Sequence, residues 1–179
     1  NGGSWDFNVV AGNCNEERGF KSAGAIRDGE YIDDIGGGIC QVATTIFNEV
    51  YEAGLPVPVR HNHTMYIASY PLGRDAAINY PDMDLEWVND TSTDILLQTT
   101  STEDSVTATL YGISPNRRVT SDVGEWKDGE PYTVIHKLDS DLDPNYCYVK
   151  TSGEDGGEVE VVRHTFDSNG NEIEIRTFK

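Results

Sequence analysis

The residue with the most chemistry in its surroundings is Cys40. It follows Gly36-Gly37-Gly38 and stands in a stretch where Ile39, Val42, Ala43, Ile46, Phe47, Val50 and Tyr51 recur at helical spacing. A helix N-terminus carries about half a positive charge and unpaired main-chain N–H groups, and both favour a thiolate. Glycines let a substrate approach the main chain closely. The amides of Gly37, Gly38 and Ile39, with that of Cys40, are therefore candidate donors to an oxyanion. The competing reading is a buried thiol that only packs.

A nucleophilic cysteine needs a base, and Arg60-His61-Asn62-His63 supplies two candidates. On an extended strand, His61 and His63 face the same side. Either could take the Cys40 proton and return it to a leaving amine. The pair could instead supply two metal ligands, with a third from Asp75, Cys40 or another acid. The preferred reading is Cys–His catalysis with no metal and no cofactor. Asp75, in Gly73-Arg74-Asp75, is the favoured partner to orient the imidazole, with Asn62, Asp82 and Asp84 as rivals. Thr44 and Thr45 could hydrogen-bond near the site or to their own i−4 carbonyls. Arg18, Arg60 and Arg74 are candidate anchors for a substrate carboxylate, beside Gln41 next to the cysteine. The plainer role for the arginines is pairing with the many acids.

These residues need a frame. The spacing predicts one clear helix, about Ile39–Ala53, with Gly54 closing it and Pro56 just beyond. It places Cys40 at the start of the one main buried helix. Before it, Trp5–Val10 reads as a strand by alternation, Glu16–Gly19 as a loop, and Lys21–Ile32 as a small hairpin turning at Asp28-Gly29. After it, strands are expected at Val57–Tyr70, Ala76–Tyr80, Asp84–Val88, Ile95–Thr100 and Ser105–Tyr111. Composition shifts near Ser114-Pro115. Further strands are expected at Arg118–Glu125, Tyr132–Leu138, Tyr146–Lys150, Glu158–Phe166 and Glu172–Phe178, with Ser168-Asn169-Gly170 as a hairpin turn. The fold class is α+β: mostly antiparallel strands around one helix over residues 1–114, then a small all-β module over 115–179.

Charge excludes some partners. The 179 residues carry 31 acidic and 13 basic side chains, a net charge of −18. Residues 1–114 account for −12 and residues 115–179 for −6, so no basic face exists to neutralise nucleic-acid phosphates or anionic lipid. A monomer without nucleic-acid or membrane contact is expected. No apolar run reaches the roughly 20 residues of a membrane span. The start at Asn1 reads like a chain entered mid-protein, with any export signal or anchor lying upstream. Three cysteines cannot all pair within one chain. A Cys14–Cys147 disulfide would leave Cys40 free, and three free thiols fit the sequence equally.

Trp5–Val10, Glu16–Phe20, Gly36–Thr45, Arg60–His63 and Gly73–Ala76 follow one another as in the VanW family, named for an accessory protein of vancomycin-resistance clusters. The resemblance spans about Trp5–Tyr111, and the GGGICQ block followed by the HNH run is its most specific part. Cys14 departs from the family pattern. Arg117–Lys179 more weakly resembles the G-five module, chiefly over Gly153–Phe178, though with few of its usual glycines. These resemblances imply an envelope or extracellular protein of a bacterium whose partner is peptidoglycan, through stem peptides or wall glycan. The chemical comparison is with L,D-transpeptidases, which also use a Cys and a His, although the order along the chain differs. Three functions are expected in turn: cysteine-dependent acyl transfer on stem peptides, of L,D-transpeptidase or L,D-carboxypeptidase type; non-catalytic wall binding; and metal-dependent hydrolysis through His61 and His63.

Overall fold

The computed structural model describes residues 2–27, 30–143 and 145–179, and of Arg27, Glu30 and Tyr31 the main chain. Its elements run β1 (Ser4–Asp6), α1 (Phe7–Ala11), a 3-10 turn (Glu16–Arg18), β2 (Ser22–Arg27), β3 (Glu30–Ile35), α2 (Ile39–Glu52), β4 (Glu86–Val88), β5 (Leu96–Ser101), β6 (Val106–Tyr111), β7 (Arg118–Val123), β8 (Lys127–Asp128), β9 (Gly157–Glu158), β10 (Val161–Phe166) and β11 (Glu172–Phe178). Every strand pairing is antiparallel: β1 with β4, β2 with β3, β5 with β6, β8 with β9, and β7 and β11 on either side of β10. The α+β class holds.

Helix α2 is the centre of the fold, and it starts at Ile39, one residue before Cys40. Ala43, Ile46, Phe47, Val50 and Tyr51 form its buried face, against Leu55, Val57, Ala76, Leu85 and Trp87 on one side and Val161 and Phe178 on the other. Each large apolar side chain sealed in this way stabilises the fold by roughly 1.5–3 kcal/mol. The C-terminus of α2 closes as the sequence predicts. Gly54 takes φ +66°, the Gly54 amide donates to Tyr51 O and the Leu55 amide to Val50 O. This is the Schellman arrangement, and it needs the left-handed residue that glycine accepts.

The C-terminal sheet packs onto this helix. Phe178 lies 5.4 Å from Phe47 and 5.3 Å from Tyr51, ring to ring. Arg163 on β10 is fully buried and donates to the carbonyls of Tyr51 (3.4 Å) and Leu55 (3.0 Å), and it pairs with Glu174 on β11. Arg117 donates to Gly54 O at 2.9 Å and pairs with Asp90. The core therefore continues across residue 114.

Several expected strands are not strands. The alternation over Trp5–Val10 breaks after Asp6, whose carboxylate accepts the Val9 amide at 2.8 Å and caps α1. Val57–Tyr70 runs irregularly, with one bridge, Val59 to Glu86. Ala76–Tyr80 is likewise irregular, because its main chain bonds side chains of α2 in place of a neighbouring strand. Tyr132–Leu138 and Tyr146–Lys150 hold no strand, and Tyr132, Val134, Ile135, Leu138, Tyr146, Tyr148 and Val149 are exposed. Strand-forming residue types need a surface to pack on, and these lack one. Glu158–Phe166 divides into β9 and β10. The hairpin at Asn169-Gly170 forms, with Gly170 at φ +85°. The Asp28-Gly29 turn lies outside the described residues, while the strands flanking it pair in register.

Candidate active site

Cys40, Thr44, Asn48 and Glu52 stand at four-residue steps, which puts them on one stripe of α2. The segment 74–78 runs antiparallel along that stripe. The Ile78 amide donates to Cys40 Sγ at 3.5 Å, and the thiol lies 3.7 Å from Ile78 O. Thr44 Oγ1 accepts the Ala76 amide at 2.9 Å and donates to Ala76 O at 3.3 Å. Asn48 donates to Arg74 O and accepts from Arg74 Nε, both at 2.8 Å, and Glu52 pairs with Arg74 at 2.6 Å. The match has a geometric cause. Two residues of extended chain advance about 6.6 Å, and four residues of helix about 6 Å. Residues 74, 76 and 78 thus meet the helix, and Asp75 between them is turned toward the 60–63 segment.

There Asp75 meets His63 and Arg60. His63 Nδ1 lies 2.6 Å from Asp75 Oδ2, which also accepts the His63 amide at 2.7 Å. Arg60 Nη2 lies 2.6 Å from Asp75 Oδ1, and Arg60 Nε donates to Asp75 O at 2.5 Å. The carboxylate therefore fixes both the ring orientation and the backbone of the histidine. The imidazole and the Cys40 thiol line the same cavity and act on each other's protonation. Tyr70 packs on the ring with centroids 5.6 Å apart. Cys40, His63 and Asp75 thus stand in the order that a thiol, an imidazole and an orienting carboxylate take in a catalytic relay.

Electrostatics follow from this line. Burial works against charge on His63, but its bonds to Asp75 and Cys40 outweigh it and raise its pKa to about 9. Burial opposes the thiolate of Cys40. The hydrogen bond to His63, the Ile78 main-chain contact and the imidazolium charge outweigh both burial and the Asp75 charge, and lower the pKa. Burial pushes Asp75 up, while its bonds from His63 and the Arg60 charge bring it below the ordinary carboxylate range. Both shifts favour the thiolate–imidazolium form of the pair over the neutral one.

Cys40 faces a cavity of about 530 Å³, lined among others by Cys14, Gly24–Ile26, Asp34, Gly36–Gln41, His63, Tyr70 and Ile78–Tyr80. The three glycines are needed for different reasons. Gly36 and Gly38 hold φ +83° and +89°, and a Cβ on Gly37 would stand 2.2 Å from Ala23 O. Gly37 donates to Asp34 O and Ile39 to Gly36 O, so these two expected oxyanion donors are already engaged. The amides of Gly38 and Cys40 donate to no main-chain carbonyl among the described residues, and both residues line the cavity. They are the donors α2 leaves available.

The structure separates the remaining candidates. His61 lines no part of the cavity, and its carbonyl accepts the Ala77 amide. Of the two histidines, His63 lines the cavity with Cys40 and is the one placed as a candidate base. Among the described residues no three His, Cys, Asp or Glu side chains are placed to hold a metal ion. Asn62 bonds the His63 carbonyl, Asp82 is exposed, and Asp84 accepts the amides of Asn8 and Leu85. Arg60 and Arg74 do not reach the cavity as carboxylate anchors: Arg60 holds Asp75, and Arg74 holds Asn48 and Glu52 over the Tyr51 ring. Arg18 is exposed, lies against Gly12 and acts on the charge of Cys14. Gln41 is exposed at the cavity. Thr45 bonds its own i−4 carbonyl, Gln41 O, at 2.7 Å. All three cysteines are free thiols. Sequence reasoning missed Asn48 and Ile78. The four-residue polar stripe running alongside the apolar face would have found Asn48. Nothing in the sequence marks Ile78, which acts through its main chain.

Comparison with known proteins came to the same half of the chain. Residues 1–111 match a family model described as VanW like protein. Over 108 residues the chain is 38% identical to a protein of Bacillus subtilis (strain 168) named "Uncharacterized protein YoaR", a match covering 60% of this chain and 36% of the relative. The chain thus corresponds to about a third of that relative's length. No solved structure matches.

Proposed function

The chain belongs to the VanW-like family, and from that membership together with the Cys40–His63–Asp75 line we propose a cell-envelope protein that carries out cysteine-dependent acyl transfer on peptidoglycan stem peptides. The observation that carries the reading is that Cys40 and His63 line one cavity, with the Asp75 carboxylate 2.6 Å behind the ring.

The steps use residues in place. Cys40 Sγ attacks the carbonyl carbon joining diaminopimelate to the terminal D-alanine. The oxyanion that forms accepts from the Gly38 and Cys40 amides, a contribution of about 3–4 kcal/mol per well-placed donor in comparable sites. The His63 imidazolium gives its proton to the departing D-alanine nitrogen as the C–N bond breaks, which leaves a thioester on Cys40 and a neutral imidazole. The side-chain amine of a second stem then attacks the thioester carbonyl. His63 takes the proton of that amine, and the thiolate returns as the C–S bond breaks. Water in place of the amine makes the reaction an L,D-carboxypeptidase. Asp75 stays ionised throughout and holds the ring.

Residues 115–179 serve in this reading as a wall-glycan module of G-five type. The exposed rings of Trp126, Tyr132, Tyr146 and Tyr148 would be its contacts.

Incubation with purified disaccharide-tetrapeptide, read by intact mass, tests the proposal. The expected result is an acyl adduct on the wild type that is absent from Cys40→Ala, with D-alanine released. A wild type that forms no adduct and releases no D-alanine overturns the transfer chemistry.

A further inference from the structure

The hairpin β2–β3 forms one wall of the cavity, and its hydrogen-bond parity decides what β2 offers outward. The Gly36 amide donates to Lys21 O at 3.1 Å, continuing the register in which Ala23 faces Asp34 and Ala25 faces Ile32. In an antiparallel ladder hydrogen-bonded pairs alternate with non-bonded ones. Lys21, Ala23 and Ala25 therefore spend their main-chain groups on β3. Ser22, Gly24 and Ile26 turn theirs to the other edge. No strand pairs with that edge among the described residues.

Two further observations point to what this edge takes. Gly24, Ala25 and Ile26 line the same cavity as Cys40 and His63, three consecutive residues rather than every second one. Natural edges are commonly guarded by charge, proline or a bulge. Over Ser22-Ala23-Gly24-Ala25 the side chains are small and uncharged, and a Cβ at Gly24 would meet nothing within 4 Å.

The geometry points to strand addition: the peptide donor lies extended along the free edge of β2, held by the outward main-chain groups of Gly24 and Ile26, so that its scissile carbonyl reaches Cys40. This rests on the acyl-transfer reading and adds the means of recognition. Main-chain pairing selects an extended backbone and leaves the side chains to the cavity walls. A cavity whose described lining holds no Arg or Lys suits that mode.

The test uses Gly24→Pro and Ile26→Pro, which each remove one outward N–H and leave the amides that bond β3 in place. Binding of disaccharide-tetrapeptide is measured on the Cys40→Ala background, and adduct formation with Cys40 present. The alkylation rate of Cys40 by iodoacetamide reports that the site is intact. A second arm leaves the protein unchanged and N-methylates the stem-peptide backbone. Strand addition expects each proline, and the N-methylated ligand, to weaken binding about tenfold, with alkylation unchanged. Tetrapeptide that binds both proline variants and its N-methylated form as tightly as before overturns strand addition and leaves acyl transfer standing. Binding that is sensitive to proline and N-methylation but yields no adduct supports strand addition and overturns the transfer step. A wild type that binds no tetrapeptide overturns both.

Discussion

At its N-terminal end α2 is capped by Gly38 without a side-chain bond, leaves the Gly38 and Cys40 amides available, and opens on a cavity. At its C-terminal end every feature closes it. Gly54 and Leu55 return their amides to the last turn, Arg163 and Arg117 donate to the carbonyls of Tyr51, Gly54 and Leu55, and the β10–β11 sheet covers the whole. An α-helix leaves four unpaired donors at one end and four unpaired acceptors at the other. Here the acceptors are satisfied from within, and part of the donor set is left open at the cavity. The closed end serves stability, and the open end is where the proposed chemistry lies.

The largest break in this contrast comes from the nucleophile. Cys40→Ala should lower acyl transfer on the order of 10⁶-fold, as removal of a nucleophile does in comparable sites, and should leave the urea midpoint nearly unchanged. Kinetics and denaturation on the same preparation check both halves. Asp75→Asn should cost about 10³- to 10⁴-fold in transfer. It also releases His63 from its largest pKa-raising partner, so Cys40 alkylation should move to higher pH. An unmoved alkylation profile would remove Asp75 from the relay.

The closed end breaks differently. Arg163→Ala leaves Glu174 without its buried partner and removes the side-chain donor to the carbonyls of Tyr51 and Leu55, and should destabilise the protein by about 3–5 kcal/mol. Cys40 alkylation in the folded fraction should be unaffected. If the two changed together, the ends would not be separable. Gly37→Ala places a methyl where Ala23 O stands and should cost about 1–3 kcal/mol, with loss of the cavity wall read by slower alkylation.

The smallest effect is in the pH dependence of stability. The folded pKa of His63, about 9, lies above the ordinary 6.5. Its contribution is therefore fully present below about pH 6.5 and is lost as pH rises through 9. Cys40→Ser removes the thiolate partner, so this alkaline loss should shrink and move to lower pH. Thermal melts from pH 6 to 10 would show it.

The sequence by itself determined the helix, its C-terminal glycine, the hairpin at Asn169-Gly170 and the place of Cys40 at the helix start, because these depend on periodicity and on backbone conformation. The stripe Cys40–Thr44–Asn48–Glu52 follows from helix geometry alone, yet Asn48 was missed because its residue type by itself marks no chemistry. Only the tertiary structure decided between His61 and His63 and between Asp75 and its rivals. That choice depends on which side the 60–63 and 74–78 segments turn to the helix. The expected strands there would have given both histidines one face. The observed chain is irregular and is held by side chains of α2, so its facing follows from the match between helix rise and extended chain. The same holds for Arg60 and Arg74. Their residue type suits a substrate carboxylate and an internal one equally, and packing settled which they meet.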